Sequence, residues 1–183
     1  MLQNQCNPCK WLVMALVLAA LWAPDAAPAA GARDCSSAPY RQFDFWLGEW
    51  EVSLPDGRKA GRNRITFEQS DCVLVERWQG VEGTTGLSMN LYDPVGGKWR
   101  QLWVSPQEQI DIAGGLRDGS MVLEGTLVQR GHARARKFRG TWTPLDDGRV
   151  RQFFEEAADD GTWTPWFEGL YRRVEAPEVL ERE

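Results

Sequence analysis

Glu76 has the most chemistry to offer in this chain, because alternation along Leu74-Val75-Glu76-Arg77-Trp78 sets its carboxylate on the same strand face as Leu74 and Trp78. A carboxylate enclosed by apolar and aromatic groups loses hydration and must be paired, hydrogen-bonded or protonated. In that state it anchors a ligand, or it serves as a general acid or base on a bound ring compound. A second reading stays open: an outward Glu76 beside Arg77 is an ordinary solvated surface residue.

The following strands supply company for it. Ser88, Asn90 and Tyr92 share one face against Leu87, Met89 and Leu91, and Trp99, Gln101 and Trp103 alternate with Arg100, Leu102 and Val104. Turning the Trp-bearing faces inward gathers Glu76, Ser88, Asn90, Gln101 and Gln152 among Trp78, Tyr92, Trp99, Trp103 and Trp142. A few polar points set in aromatic walls are the lining of a small-molecule pocket. Alternation alone leaves two matters open. Leu87, Met89 and Leu91 make an equally good inward face, and aromatics at period two also describe a filled core. A filled core would leave an interaction module that works through its outer surface.

Other chemistry is thin. There is no Gly-x-Ser-x-Gly elbow and no phosphate loop, and one His with four Cys is too few for a conventional zinc site. No metal or cofactor is expected. The net charge of −5 argues against a nucleic-acid partner, which needs a basic footprint. A local basic run, Arg130, His132, Arg134, Arg136, Lys137 and Arg139, reads as a solvated loop entering a strand, with an anionic surface polymer or lipid head as the lesser alternative.

These side chains need strands to hold them, and the chain offers little else. β-prone runs at 48–54, 62–68, 72–79, 84–92, 98–105, 109–116, 120–128, 136–143, 149–157 and 163–174 alternate with turn clusters, and a single helical turn is expected over 41–47. Asp118-Gly119, Asp147-Gly148 and Asp160-Gly161 are strong hairpin signals, because both residue types accept positive φ. Roughly ten strands on short connections favour an all-β, antiparallel up-and-down meander that closes into a barrel and so loses its exposed edges.

The stretch Phe43-Asp44-Phe45-Trp46-Leu47-Gly48-Glu49-Trp50 (FDFWLGEW) resembles the opening of a lipocalin-like barrel, in which a helical turn leads into a Gly-x-Trp strand and a late Arg packs over the indole. Gly48 and Trp50 match that pattern, and Arg172 or Arg173 supplies the Arg. Together with Cys72 to Trp78, Ser88 to Asp93, Trp99 to Val104, Thr141 to Pro144 and Val150 to Gln152, the chain resembles a bacterial lipocalin-like, calycin-like domain family of unknown function. The resemblance implies a barrel and carries over no activity. Haem-binding barrels use a late His as iron ligand, whereas His132 here sits in a loop-like segment, which departs from that pattern.

The ends read differently from the middle. Lys10, the apolar run 11–23 and an Ala/Pro-rich stretch have the layout of a secretory signal over 1–32, and the apolar run is short of the roughly 20 residues that span a bilayer. The barrel domain is then 33–175, about 150 residues with room for one core, and 176–183 is a frayed acidic tail. Cys6 and Cys9 leave with the signal. Cys35 and Cys72 remain as one pair, for which a disulfide is the default in an oxidising compartment, periplasmic or extracellular. The expected product is a monomer or weak dimer with a small-molecule partner and no stable membrane insertion.

Overall fold

Wherever Asp-Gly or a Gly cluster interrupts the alternation, the chain reverses. The computed structural model describes residues 35–174, so the expected leader and tail lie outside the described residues. Gly57, Gly97, Gly119, Gly148 and Gly161 all have positive φ. The Asp56, Asp147 and Asp160 carboxylates accept the backbone N–H two residues ahead, an arrangement that fixes tight turns.

Ten antiparallel strands result: β1 Gly48–Ser53, β2 Lys59–Glu68, β3 Val73–Gly80, β4 Thr85–Asp93, β5 Lys98–Val104, β6 Glu108–Arg117, β7 Ser120–Gln129, β8 Arg136–Pro144, β9 Val150–Ala157 and β10 Trp163–Arg173. Each pairs with its neighbours in sequence, and β1 also pairs with β10, so the sheet closes as an up-and-down barrel. Bounds follow the alternation closely, except that β2 begins at Lys59 rather than Arg62.

Before β1 the chain makes two short turns where one was expected over 41–47: α1 Ala38–Arg41, then a 3₁₀ turn Asp44–Trp46. Pro39 explains the earlier start, since its fixed φ suits the first turn of a helix. These turns lay Phe43 and Trp46, both fully buried, across one end of the barrel. Phe43 stacks on Trp46 at 5.0 Å and meets the edges of Trp99 and Trp142 at 5.6 and 5.2 Å. Trp99 Nε1 donates to the Pro39 carbonyl at 3.1 Å, and Trp50 Nε1 to the Trp46 carbonyl at 3.0 Å. That end is plugged.

Covalent and ionic ties hold the plug down. A Cys35–Cys72 disulfide joins it to the β2–β3 turn, and constraining a loop of 37 residues is worth about 3 to 4 kcal/mol on the chain-entropy account. In that turn Gln69, Ser70 and Asp71 all have φ between 53° and 64°, a left-handed run that persists only where the surroundings over-determine it. The disulfide and the bond from Arg41 Nη2 to the Asp71 carbonyl provide that constraint. Of the two candidate arginines, Arg173 covers Trp50: its guanidinium lies 4.3 Å over the indole, and Nη1 donates to the Leu47 carbonyl at 2.8 Å. Arg172 faces outward and pairs with Glu51.

Candidate functional site

The opposite end of the barrel is open. A cavity of about 400 Å³ enters there, between the β1–β2, β3–β4 and β5–β6 loops. Its walls are the rings of Trp78, Trp103, Phe154, Trp166 and Phe167, and Glu76, Gln152 and Tyr171 form its floor.

Alternation places Glu76 inside. Leu74 and Glu76 are buried, while Arg77 turns outward to Glu68 at 2.8 Å. The parity of β4 is settled as well: Ser88 and Asn90 are fully buried, and Leu87, Met89 and Leu91 are 37 to 45% exposed on the outer face. The polar members of β4 turn inward because β3 and β5 set Glu76 and Gln101 beside them. Buried polar atoms require partners, and these have each other.

Glu76 Oε1 accepts from Asn63 Nδ2 at 2.6 Å, and Oε2 accepts from Ser88 Oγ at 2.6 Å. Behind it, Gln101 Nε2 donates to Asn90 Oδ1 and Asn90 Nδ2 donates to Ser88 Oγ, both at 2.8 Å. Asn63 Nδ2 also reaches the Tyr171 hydroxyl at 3.2 Å, and that hydroxyl donates to Gln152 Oε1. Burial pushes the Glu76 carboxyl up to about 7, against the lowering pull of the Ser88 and Asn63 bonds. Burial and then the Glu76 charge raise the Tyr171 phenol well above its usual value, so it stays neutral.

Glycines determine that this half of the barrel is hollow. A Cβ on Gly86 would sit 2.0 Å from Trp103 Cζ2, and one on Gly61 2.8 Å from the Trp78 ring. Each indole therefore lies flat on a neighbouring strand instead of projecting to the axis, as aromatic side chains do over strand glycines.

The expected site residues sort into three groups. Glu76, Trp78, Trp103 and Gln152 line the cavity. Ser88, Asn90 and Gln101 stand behind Glu76 as its hydrogen-bonding support. Tyr92, Trp99 and Trp142 belong to the plugged end: Tyr92 meets Tyr40 at 5.0 Å, and Trp99 and Trp142 meet Phe43. Asn63, Tyr171, Trp166 and Phe167 complete the site without having been singled out. The period of β2, Gly61-x-Asn63-x-Ile65, already marks Asn63 as inward. On β10 a bulge between Pro165 and Phe167 interrupts the alternation and lets the consecutive Trp166 and Phe167 both face the cavity. Pro165 within a strand is the signal for it.

The basic run carries little uncompensated charge along its strand portion. Arg136 pairs with Glu156 and Arg139 with Glu155, while His132 and Arg134 lie in the exposed β7–β8 loop. Among the described residues no helix is long and apolar enough to cross a membrane.

Fold and site together define a closed antiparallel barrel, plugged at one end and open at the other, whose lumen holds a buried and hydrogen-bonded carboxylate. No protein-family model matches the chain, and no curated protein matches it.

Proposed function

We propose that the protein is an exported, lipocalin-like binding protein, monomeric or weakly dimeric, that holds a small, partly polar ring compound in its lumen. The observation that carries this reading is the open cavity with indole walls and the Glu76 carboxylate at its floor. Its volume falls within the usual range for ligand sites, roughly 300 to 1,000 Å³. The leader-like start and the Cys35–Cys72 disulfide support export to an oxidising compartment.

Native mass spectrometry of protein isolated from its own compartment tests the reading directly. The expected spectrum has a small-molecule adduct that a Trp103→Ala variant loses while its far-ultraviolet circular dichroism is kept. An adduct retained unchanged by Trp103→Ala, or protein that binds nothing from an extract of its own cells, refutes it.

A second reading draws support from Glu76 itself, whose carboxyl near 7 is matched to proton transfer at neutral pH. In that case the barrel is an enzyme acting on its ring compound. A turnover rate that follows a group near 7 and vanishes in Glu76→Gln marks catalysis; stoichiometric binding of an unaltered ligand marks carriage.

A further inference from the structure

Resting on the lumen reading above, we infer that the ligand is a cation: a flat apolar ring system bearing a protonated nitrogen, with the ring between the indoles and the nitrogen against Glu76. The direction of the hydrogen bonds is the first argument. The Leu74 carbonyl can only accept, and Asn90 Nδ2 donates to it at 3.2 Å, which fixes the Asn90 amide. Its Oδ1 therefore takes the Gln101 proton, its Nδ2 points at Ser88, and Ser88 hands its own proton to Glu76. Asn63 donates to the other carboxylate oxygen. Every donor in the cluster ends on Glu76, an arrangement that favours a negative charge there.

No cation answers that charge from within the fold. The groups facing Glu76 are Asn63 from β2, Ser88 and Asn90 from β4, Gln152 from β9 and Tyr171 from β10, and of these only Tyr171 titrates, remaining neutral. Arg58 and Lys59 at the mouth are paired with Asp56 and Glu51, beside the acidic Glu82 and Glu108. A carboxylate offers about four acceptor positions, of which the protein fills two. Asn63 Oδ1, on the same amide that donates to Glu76, is buried without a partner. A protonated nitrogen brings two or three N–H groups to such acceptors.

The walls select the same charge. Trp78, Trp103, Trp166, Phe154 and Phe167 turn π systems toward the cavity, and the negative faces of such rings attract cations and repel anions. A neutral alcohol of the same shape gains only a hydrogen bond at the floor, and a carboxylate meets Glu76 with like charge.

Three probes with one body separate these cases: 2-phenylethylamine, 2-phenylethanol and 3-phenylpropionate, titrated into the purified protein with calorimetry and with the indole N–H signals of Trp78 and Trp103 followed by NMR. At pH 8 the amine should bind at least ten times more tightly than the alcohol, the anion should not bind, and Glu76→Gln should remove the amine's advantage. If that variant fails to fold, the parent protein gives the same information. The amine stays protonated like a lysine, so its affinity should fall about thirty-fold from pH 8 to pH 5.5 as a carboxyl near 7 takes up its proton. Alcohol or anion binding in the lumen as tightly as the amine, or an amine advantage that survives Glu76→Gln, overturns the cation and leaves the lumen reading standing. Indole signals unmoved by all three probes overturn both.

Discussion

Replacing Glu76 with glutamine should remove a pH dependence of stability that the parent protein carries, and the size of the effect follows from the site. In the folded state the carboxyl titrates near 7, against 4.5 for the exposed group of the unfolded chain. Below the lower value both states hold the proton, and Glu76 contributes nothing to the pH dependence. Between the two values the unfolded chain releases its proton while the folded chain keeps it, so stability falls as pH rises. Above the higher value both are ionised and the loss is complete. At about 1.4 kcal/mol per pH unit, the full loss is about 3 kcal/mol. Glutamine keeps the shape and stays neutral, so the variant's stability minus the parent's should rise by about 3 kcal/mol from pH 4 to pH 8. Surface carboxylates held low by neighbouring arginines, such as Asp111 beside Arg100, are common to both proteins and cancel. Urea unfolding with the disulfide intact, extrapolated to water at several pH values, measures the difference. A constant offset reflects the exchange of an acid for an amide against Asn63 and Ser88; only the slope carries the inference. A difference flat to within about 0.5 kcal/mol, the usual error of additivity, means that Glu76 ionises like an exposed glutamate and refutes the reasoning.

Gly86→Ala should push the Trp103 ring toward the axis, since the new Cβ would lie 2.0 Å from Cζ2; the expected result is loss of lumen binding with strand content intact. Removing both cysteines, Cys35→Ser with Cys72→Ser, should destabilise the protein by about 2 to 5 kcal/mol in urea unfolding, with protection of the Phe43 and Trp46 amides against hydrogen exchange falling before that of β6 and β7. Arg173→Met should lower stability by about 0.5 to 1 kcal/mol through loss of the cation over Trp50 and shift the Trp50 emission, leaving probe binding unchanged.

The strands and their turns were legible because alternation and Asp-Gly pairs act locally, and each β-hairpin is specified by its own dozen residues. Inner and outer faces were legible on β1 and β5, where Trp50 and Val52, or Trp99 and Gln101, oppose charged or small neighbours. β4 was not, because Leu87, Met89 and Leu91 are as apolar as any inward set; what turns Ser88 and Asn90 inward is the company of Glu76 and Gln101 on adjacent strands, a long-range fact. Depth along the axis was hidden for a similar reason. Trp99 and Trp103 share a face of β5, yet one packs under Phe43 and the other walls the cavity. Period two assigns a side of the sheet and says nothing of which end is plugged. The bulge at Trp166 broke the period outright.

That division between the two ends bears on why an expensive carboxylate persists in the lumen. At neutral pH Glu76 lowers stability by about 3 kcal/mol relative to a neutral isostere, and it obliges Asn63, Ser88, Asn90 and Gln101 to be buried with it, since a half-satisfied polar cluster is worse than an apolar one. Leucines at these five positions would give a drier and more stable barrel by the same physics that favours apolar replacements of buried ions. The plugged end offsets the loss: interlocked Phe43, Trp46, Trp99 and Trp142, and a disulfide of about 3 to 4 kcal/mol. Departures from the most stable choice concentrate where a protein acts. Here they concentrate around one carboxylate, at the floor of the open half, with the donors of four neutral side chains directed along the chain that ends on it.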